Sequence, residues 1–329
     1  MEKSNNLEKF GKVWNASGVT NFFGDGYPFH IFLKPFGLDF RGSTFVAKTA
    51  TLRPRAGNMP LRKNFMPKEW NPKCIWMNWL RGYALNSVGL SGPGAKALFE
   101  MGRWQKRKEP FVISFMSVED APEKRTEELH QFVALFREHL PHFQAQVALQ
   151  INFSCPNVGL RPEEIAEEVT KELDITSVLK IPLIPKINLE IPVEIAKKIS
   201  DHPACAGICI TNTIPFGHMP DRIDWQKLFK TKSKTPGQEE SPLYKRDPKF
   251  GGGGLSGKPL FPLLCEWIKN ARSAGIEKPL NVGGGILSPK DVQKIAPLLR
   301  KGDSIFIGSV AFLRPWNTRG IIRQANRLL

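Results

Sequence analysis

Eight short apolar runs, separated by amphipathic helical stretches within one chain of 329 residues, predict an α/β protein. Repeated strand–helix alternation argues for parallel pairing, and eight candidate strands in that length predict a (β/α)8 barrel of the TIM type. Polar residues gathered at one end of these runs are the third observation, because a barrel collects the loops that follow its strands on one face. A doubly wound sheet is the competing reading of the same alternation. Residues 1–329 read as a single domain.

In chain order the runs are 45–49 (FVAKT), 84–88 (ALNSV), 112–116 (VISFM), 147–153 (VALQINF), 182–187 (PLIPKI), 207–212 (GICITN), 279–283 (PLNVG) and 304–308 (SIFIG). Segments 125–140 (RTEELHQFVALFREHL) and 192–200 (PVEIAKKIS) carry helical apolar spacing between them. Two stretches break the alternation: 53–81, rich in Pro, Arg, Asn and Trp, and 214–254. Insertions of this length cover a site or carry a small extra element. Here they are expected over the C-terminal face of the strands, one of them as a lid.

The hydrophobic share of 41% and charged share of 24% suit a globular chain that buries its core without disulfides. The cysteines at 74, 155, 205, 209 and 265 include no CxxC pair, which argues against a zinc ribbon or an iron–sulfur cluster built on that spacing. Scattered reduced thiols suit a cytoplasmic protein. The N-terminal MEKSNNLEKFGKVWNASG lacks the apolar run of a signal peptide, and no apolar stretch is long enough for a membrane span. The net charge of +16 fits an anionic ligand, nucleic acid or an anionic surface. It fits equally well a set of cations spread over a solvated surface, because no block of five or more consecutive Lys and Arg occurs.

Candidate site residues sit at the strand ends: Lys48 and Thr49, Asn86, Ser114, Asn152 to Asn157, Lys186, Asn212 and Thr213, Gly283 to Gly285, and Gly308 with Ser309. The glycine-rich turns 251–260 and 281–291, with IGSV at 307–310, would let backbone approach a phosphate, as the last loops of such barrels often do. Lys48 and Lys186 end apolar strands, where an ammonium needs an anion or an electron-rich ring. They could flank a flavin, form a Schiff base, or simply snorkel to solvent. Asn86, Asn152, Asn157 and Asn212 offer the donors and acceptors that read a planar heterocycle, or else cap loops. Cys155 lies among polar residues just past a strand, and an ordinary thiol, of pKa about 8.5, accepts a proton near neutrality with modest help. The other cysteines read as structural. His30, His130, His142, His202 and His218 show no metal-ligand spacing and receive no catalytic role.

With those residues in view, NFSCPN (152–157) resembles the catalytic loop of the dihydroorotate dehydrogenases, flavin enzymes of pyrimidine biosynthesis. NASG (15–18), KTATLRPRAGNMPLR (48–62), NSVGLSGPG (86–94), TNT (211–213), GGLSGKPL (253–260), GGGI (283–286) and IGS (307–309) resemble further motifs of that family, in the same order. Segment 22–43 has no counterpart among them, and the CPNVGLRP loop is shorter than usual by about one residue.

The resemblance implies a barrel holding FMN that oxidises dihydroorotate to orotate. It implies Cys155 as general base, assisted by Lys48, which is the pattern of the soluble class. The implied substrate contacts are Lys48, Asn86, Gly89, Leu90, Asn152, Asn157, Asn212 and Thr213. The implied FMN contacts are Ala16, Ser17, Gly18, Lys48, Thr49, Ser114, Asn152 and Lys186, followed by Thr211, Ser256, Gly257, Gly284, Gly285, Gly308 and Ser309. No metal is expected. A homodimer or an electron-transfer partner subunit is expected.

Other classes account for fewer of these residues. A tRNA dihydrouridine synthase would use the same barrel and the positive charge, but only about 20 residues follow the last strand, too few for the usual RNA-binding domain. A dihydropyrimidine dehydrogenase-like module would need iron–sulfur relays or a partner. A class I aldolase leaves Cys155 and the asparagines idle, and a non-enzymatic basic module does not explain polar strand ends.

Overall fold

In the computed structural model, which describes residues 6–153 and 162–329, eight parallel strands form the centre of the molecule. They are β1 (Val13–Asn15), β2 (Phe45–Val46), β5 (Phe111–Phe115), β6 (Val147–Asn152), β7 (Leu183–Ile187), β8 (Ile208–Ile210), β11 (Leu280–Val282) and β12 (Ser304–Ile307). Their spatial order is β1-β12-β11-β8-β7-β6-β5-β2. The ends of that row meet at a parallel bridge between Trp14 and Thr44. There the Thr44 N–H donates to Val13 O at 2.7 Å, and the Asn15 N–H donates to Thr44 O at 3.0 Å. The sheet is therefore a TIM-type barrel, nearly closed.

Strand alternation sorts the side chains into two cores. Trp14, Val46, Val112, Ala148, Ile184, Cys209 and Phe306 point inward and pack with Leu7 and Phe10 inside the barrel. Their neighbours, such as Ile113, Leu149, Ile151, Leu183 and Ile305, point outward and join the core under the helices. The helix Pro122–His139 follows the sequence expectation for 125–140, with Pro122 at its first turn and Leu129, Phe132, Val133 and Phe136 on its buried face. Phe132 stacks on Phe115 of β5 with ring centroids 3.7 Å apart. The helix Val193–Asp201 matches the segment expected at 192–200 and buries Ile195, Ala196 and Ile199.

Two expectations are corrected. The run 84–88 is not a barrel strand: β4 (Tyr83–Asn86) forms an antiparallel hairpin with β3 (Ile75–Asn78) and pairs on its other side with β10 (Gly254–Gly257). β9 (Ile214–Pro215) completes this second, four-stranded sheet. An apolar run shows burial, not the direction of pairing. The hairpin turn ends at Gly82 with φ +75, a conformation glycine adopts without strain. The true first barrel strand is β1, too short to show alternation. The glycine-rich stretch 251–260 is likewise not a loop after a barrel strand; it carries β10 and leads into the helix Leu260–Ser273. Both breaks in the alternation thus contribute strands to the second sheet, β3 from 53–81 and β9 from 214–254.

Candidate active site

The inward-facing positions climb each strand in steps of two, and the step past the apolar interior is polar. Val46 is followed by Lys48, Val112 by Ser114, Ala148 by Gln150 and Asn152, Ile184 by Lys186, and Cys209 by Thr211. These ends open into a cleft of about 390 Å³, lined in part by Lys48, Asn152, Lys186 and Thr211.

Both lysines are buried. Lys48 Nζ donates to Ser91 O and lies 4.8 Å from the centre of the Phe22 ring. Burial pulls its amine down to about 7, with Cys74 opposing the shift. Lys186 Nζ stands 5.7 Å from the centre of the Phe306 ring, and burial lowers its pKa too. Each amine faces a cavity where a negative or electron-rich ligand would restore the charge that burial disfavours.

The amides are locked together. Asn212 Nδ2 donates to Asn152 Oδ1 at 2.6 Å. The Asn212 N–H is held by Ile187 O at 3.1 Å. Thr211 Oγ1 donates to Asn212 O at 2.8 Å and accepts from the Leu189 N–H at 3.1 Å. Asn86 and Thr213 line the same cleft from the second sheet's side, with Gly89 and Leu90 beside them. A hydroxyl ladder runs underneath: Ser17 Oγ to Thr49 Oγ1 at 2.9 Å, then Thr49 Oγ1 to Ser114 Oγ at 3.0 Å. Ser114 is fully buried behind Thr49 and does not reach the cleft wall. Its hydroxyl meets that of Thr49 at 3.0 Å.

Glycines form the far wall. Gly284, Gly285, Gly308, Ser309, Ser256 and Gly257 line the cleft with Ala16, Ser17 and Gly18. A Cβ on Gly285 would sit 2.5 Å from Gly257 O, and one on Gly308 would sit 2.9 Å from the Ala16 Cβ. These turns pack so closely that only glycine keeps the backbone at the cavity surface. Among the described residues, no cluster of His, Cys, Asp or Glu is arranged to hold a metal ion, and no helix is long and apolar enough to cross a membrane.

A family model described as dihydroorotate dehydrogenase matches residues 13–324, nearly the whole chain. The chain belongs to the dihydroorotate dehydrogenase family. It is an oxidoreductase of that family, with the barrel the family resemblance implies. The chain is 26% identical over 336 aligned residues to the catalytic subunit of dihydroorotate dehydrogenase B (NAD(+)) from Desulforamulus reducens, covering 99% of this chain and 92% of that one. The corresponding subunit from Desulforudis audaxviator is 26% identical over 314 residues, covering 92% and 83%. Among solved structures, tryptophan synthase from Pyrococcus furiosus superposes with a TM-score of 0.35 at 14% identity over 71% of each chain, too slight a likeness to bear on the site.

In this dihydroorotate dehydrogenase family member the cleft also holds residues that sequence reasoning missed. Tyr27, Phe29 and His30 come from segment 22–43, and Met59, Pro72 and Ile75 from the first insertion. The Tyr27 hydroxyl donates to Gly18 O at 2.6 Å, which ties the segment to the first glycine turn. Its ring stacks on Phe29 at 5.4 Å, and His30 meets Phe29 edge-on at 4.8 Å. Burial, then the nearby Lys34, pushes the His30 imidazole down to about 4. The only sequence signal was the aromatic cluster YPFH within segment 22–43. Phe306 and Ile286 also reach the cleft, although both read as ordinary core. Cys155 and Asn157 lie outside the described residues.

Proposed function

We propose that this protein oxidises dihydroorotate to orotate in pyrimidine biosynthesis, with FMN as cofactor and Cys155 as general base. The observation that carries the reading is the meeting of two buried lysines, a locked pair of asparagines and two close-packed glycine turns around one cleft. The cavity's residues fit FMN. The glycine turns leave backbone exposed for a phosphate, and Lys48 and Lys186 flank the space where an electron-rich ring would lie.

When bound, FMN supplies the acceptor for the hydride that leaves C6 of the substrate. Cys155, as thiolate, takes the proton from C5. Asn86, Asn152, Asn157, Asn212 and Thr213 hold the pyrimidine ring by its amide edges, so binding is converted into alignment of the two breaking C–H bonds. The mutual hydrogen bond of Asn152 and Asn212 fixes both side chains before substrate arrives, which removes the cost of ordering them. Lys48, whose amine burial pulls down to about 7, can meet the substrate carboxylate or offset charge that grows in the cleft. The relatives' names describe a catalytic subunit of an NAD(+)-linked enzyme, so a partner subunit that accepts the electrons is part of this proposal.

The test is the visible spectrum of the purified protein, followed by anaerobic addition of dihydroorotate. A yellow flavin band that bleaches as orotate forms is the expected outcome. A protein that takes up no FMN, or a band that dihydroorotate leaves unchanged, overturns the reading.

A further inference from the structure

Most of the large apolar side chains that stay exposed lie along one edge of the cleft mouth, in three segments joined by direct contacts. Phe32, 60% exposed, meets Trp70, 53% exposed, with ring centroids 5.1 Å apart. The turn that carries exposed Phe36 ends at Gly37, where a Cβ would sit 3.1 Å from Trp316 Cα. The Trp316 ring lies 5.7 Å from the Arg314 guanidinium. That guanidinium donates to Trp79 O and, at 3.1 Å, to Leu80 O. Leu80, at the tip of the β3–β4 hairpin, is 95% exposed. His30, Pro72 and Ile75 of these segments line the cleft, as do Phe29 and Phe312 just before two of them, so this rim borders its opening.

Exposed apolar side chains gathered from three segments along one edge, rather than scattered singly, mark a surface that something covers. Its charge says what. Segments 30–37, 68–81 and 314–319 carry six cations, Lys34, Lys68, Lys73, Arg81, Arg314 and Arg319, against the single carboxylate of Glu69. Tryptophan at the level of lipid headgroups, apolar side chains below it and Lys or Arg around it is the pattern of surfaces that lie in a membrane interface. Protein–protein interfaces, by contrast, are depleted in lysine. The net charge of +16 works in the same direction, because it draws the whole chain toward an anionic leaflet. We propose that this aromatic and basic rim docks the protein peripherally on an anionic lipid bilayer, with the cleft mouth beside the headgroups.

Co-sedimentation of the full chain with vesicles tests it. Phosphatidylcholine vesicles containing phosphatidylglycerol should carry the protein down, and pure phosphatidylcholine vesicles should carry at least tenfold less. Raising the salt should release it, since the cations act through a screened field. The double variant Phe36→Ser/Leu80→Ser, at two exposed positions outside the cleft, should lower vesicle binding tenfold or more with an unchanged melting temperature. Lys34→Glu/Lys73→Glu should lower it further on anionic vesicles than on neutral ones. Failure to sediment with anionic vesicles overturns the proposal, as does binding indifferent to both double variants. A dimer in analytical ultracentrifugation that Phe36→Ser/Leu80→Ser splits would give the rim to a second copy and overturn it too. None of these readouts depends on flavin or turnover, so the outcome stands apart from the proposed activity.

Discussion

Asn212 donates its side-chain amide to Asn152 Oδ1 at 2.6 Å, although 60 positions separate the two residues. Asn152 ends β6, and Asn212 follows β8, so the contact passes over the end of β7 and its Lys186. Replacing Asn152 with Ala leaves the Asn212 amide without its acceptor, at a cost of roughly 1–3 kcal/mol in stability. Turnover should fall by a larger factor, because two substrate-facing groups lose their orientation together. A double-mutant cycle over Asn152→Ala and Asn212→Ala, read in urea unfolding, should show coupling of about 1 kcal/mol. Strictly additive losses would mean that the pair does not act as a unit.

Cys155→Ala removes the proposed base and nothing that holds the cofactor. The variant should retain FMN and the yellow colour, yet reduce its flavin with dihydroorotate about 10²–10⁴-fold more slowly. Stopped-flow bleaching measures this step directly. A near-normal rate would assign the proton to another group.

Lys48 gives a pH signature. Its folded-state pKa is about 7, while an unfolded lysine titrates near 10.4. Between those values the unfolded chain binds more protons, so this residue makes the fold more stable as pH rises through that window. Below pH 7 the full penalty for a buried ammonium is present. Lys48→Met lacks that penalty and leaves Ser91 O unpaired at every pH. The stability of the Met variant relative to wild type should therefore be greatest near pH 6 and decline toward pH 10, by up to about 4 kcal/mol. Urea titrations of flavin-free protein across that range give the curve, and a flat difference would place the ammonium in solvent.

The strand ends were legible in the sequence because a barrel strand announces itself twice, by its apolar run and by the polar residue two steps past the last inward apolar one. Val46 to Lys48 and Ile184 to Lys186 both show this. The run at 84–88 misled because Ala84 and Leu85 are as buried in an antiparallel hairpin as they would be in the barrel. β1 escaped because three residues carry no period, and its identity depends on pairing with β12 nearly 300 positions away. Tyr27 and His30 escaped for a related reason: their place at the cleft is set by the Tyr27 bond to Gly18 O and by ring contacts, none of which has a spacing rule. Ser114 ends its strand as expected and lies one hydroxyl behind Thr49, a depth that alternation along a strand does not report.

Gly285 offers the sharpest separation of backbone strain from cradle geometry. Its φ is +77, and a Cβ there would lie 2.5 Å from Gly257 O of the facing turn and 3.0 Å from the Phe261 N at the start of the following helix, both backbone atoms. Gly275 has a similar φ of +80, but its added Cβ would meet only the Lys197 Cε, at 3.6 Å. Alanine at either position bears the same left-handed penalty, about 1–2 kcal/mol. At Gly285 alone it must also push two glycine turns apart. Gly275→Ala should therefore melt somewhat lower and keep its flavin through gel filtration. Gly285→Ala should melt lower still and emerge colourless, with binding restored only at high added FMN. Equal flavin retention in the two variants would show that the packed turns do not form the phosphate side of the site.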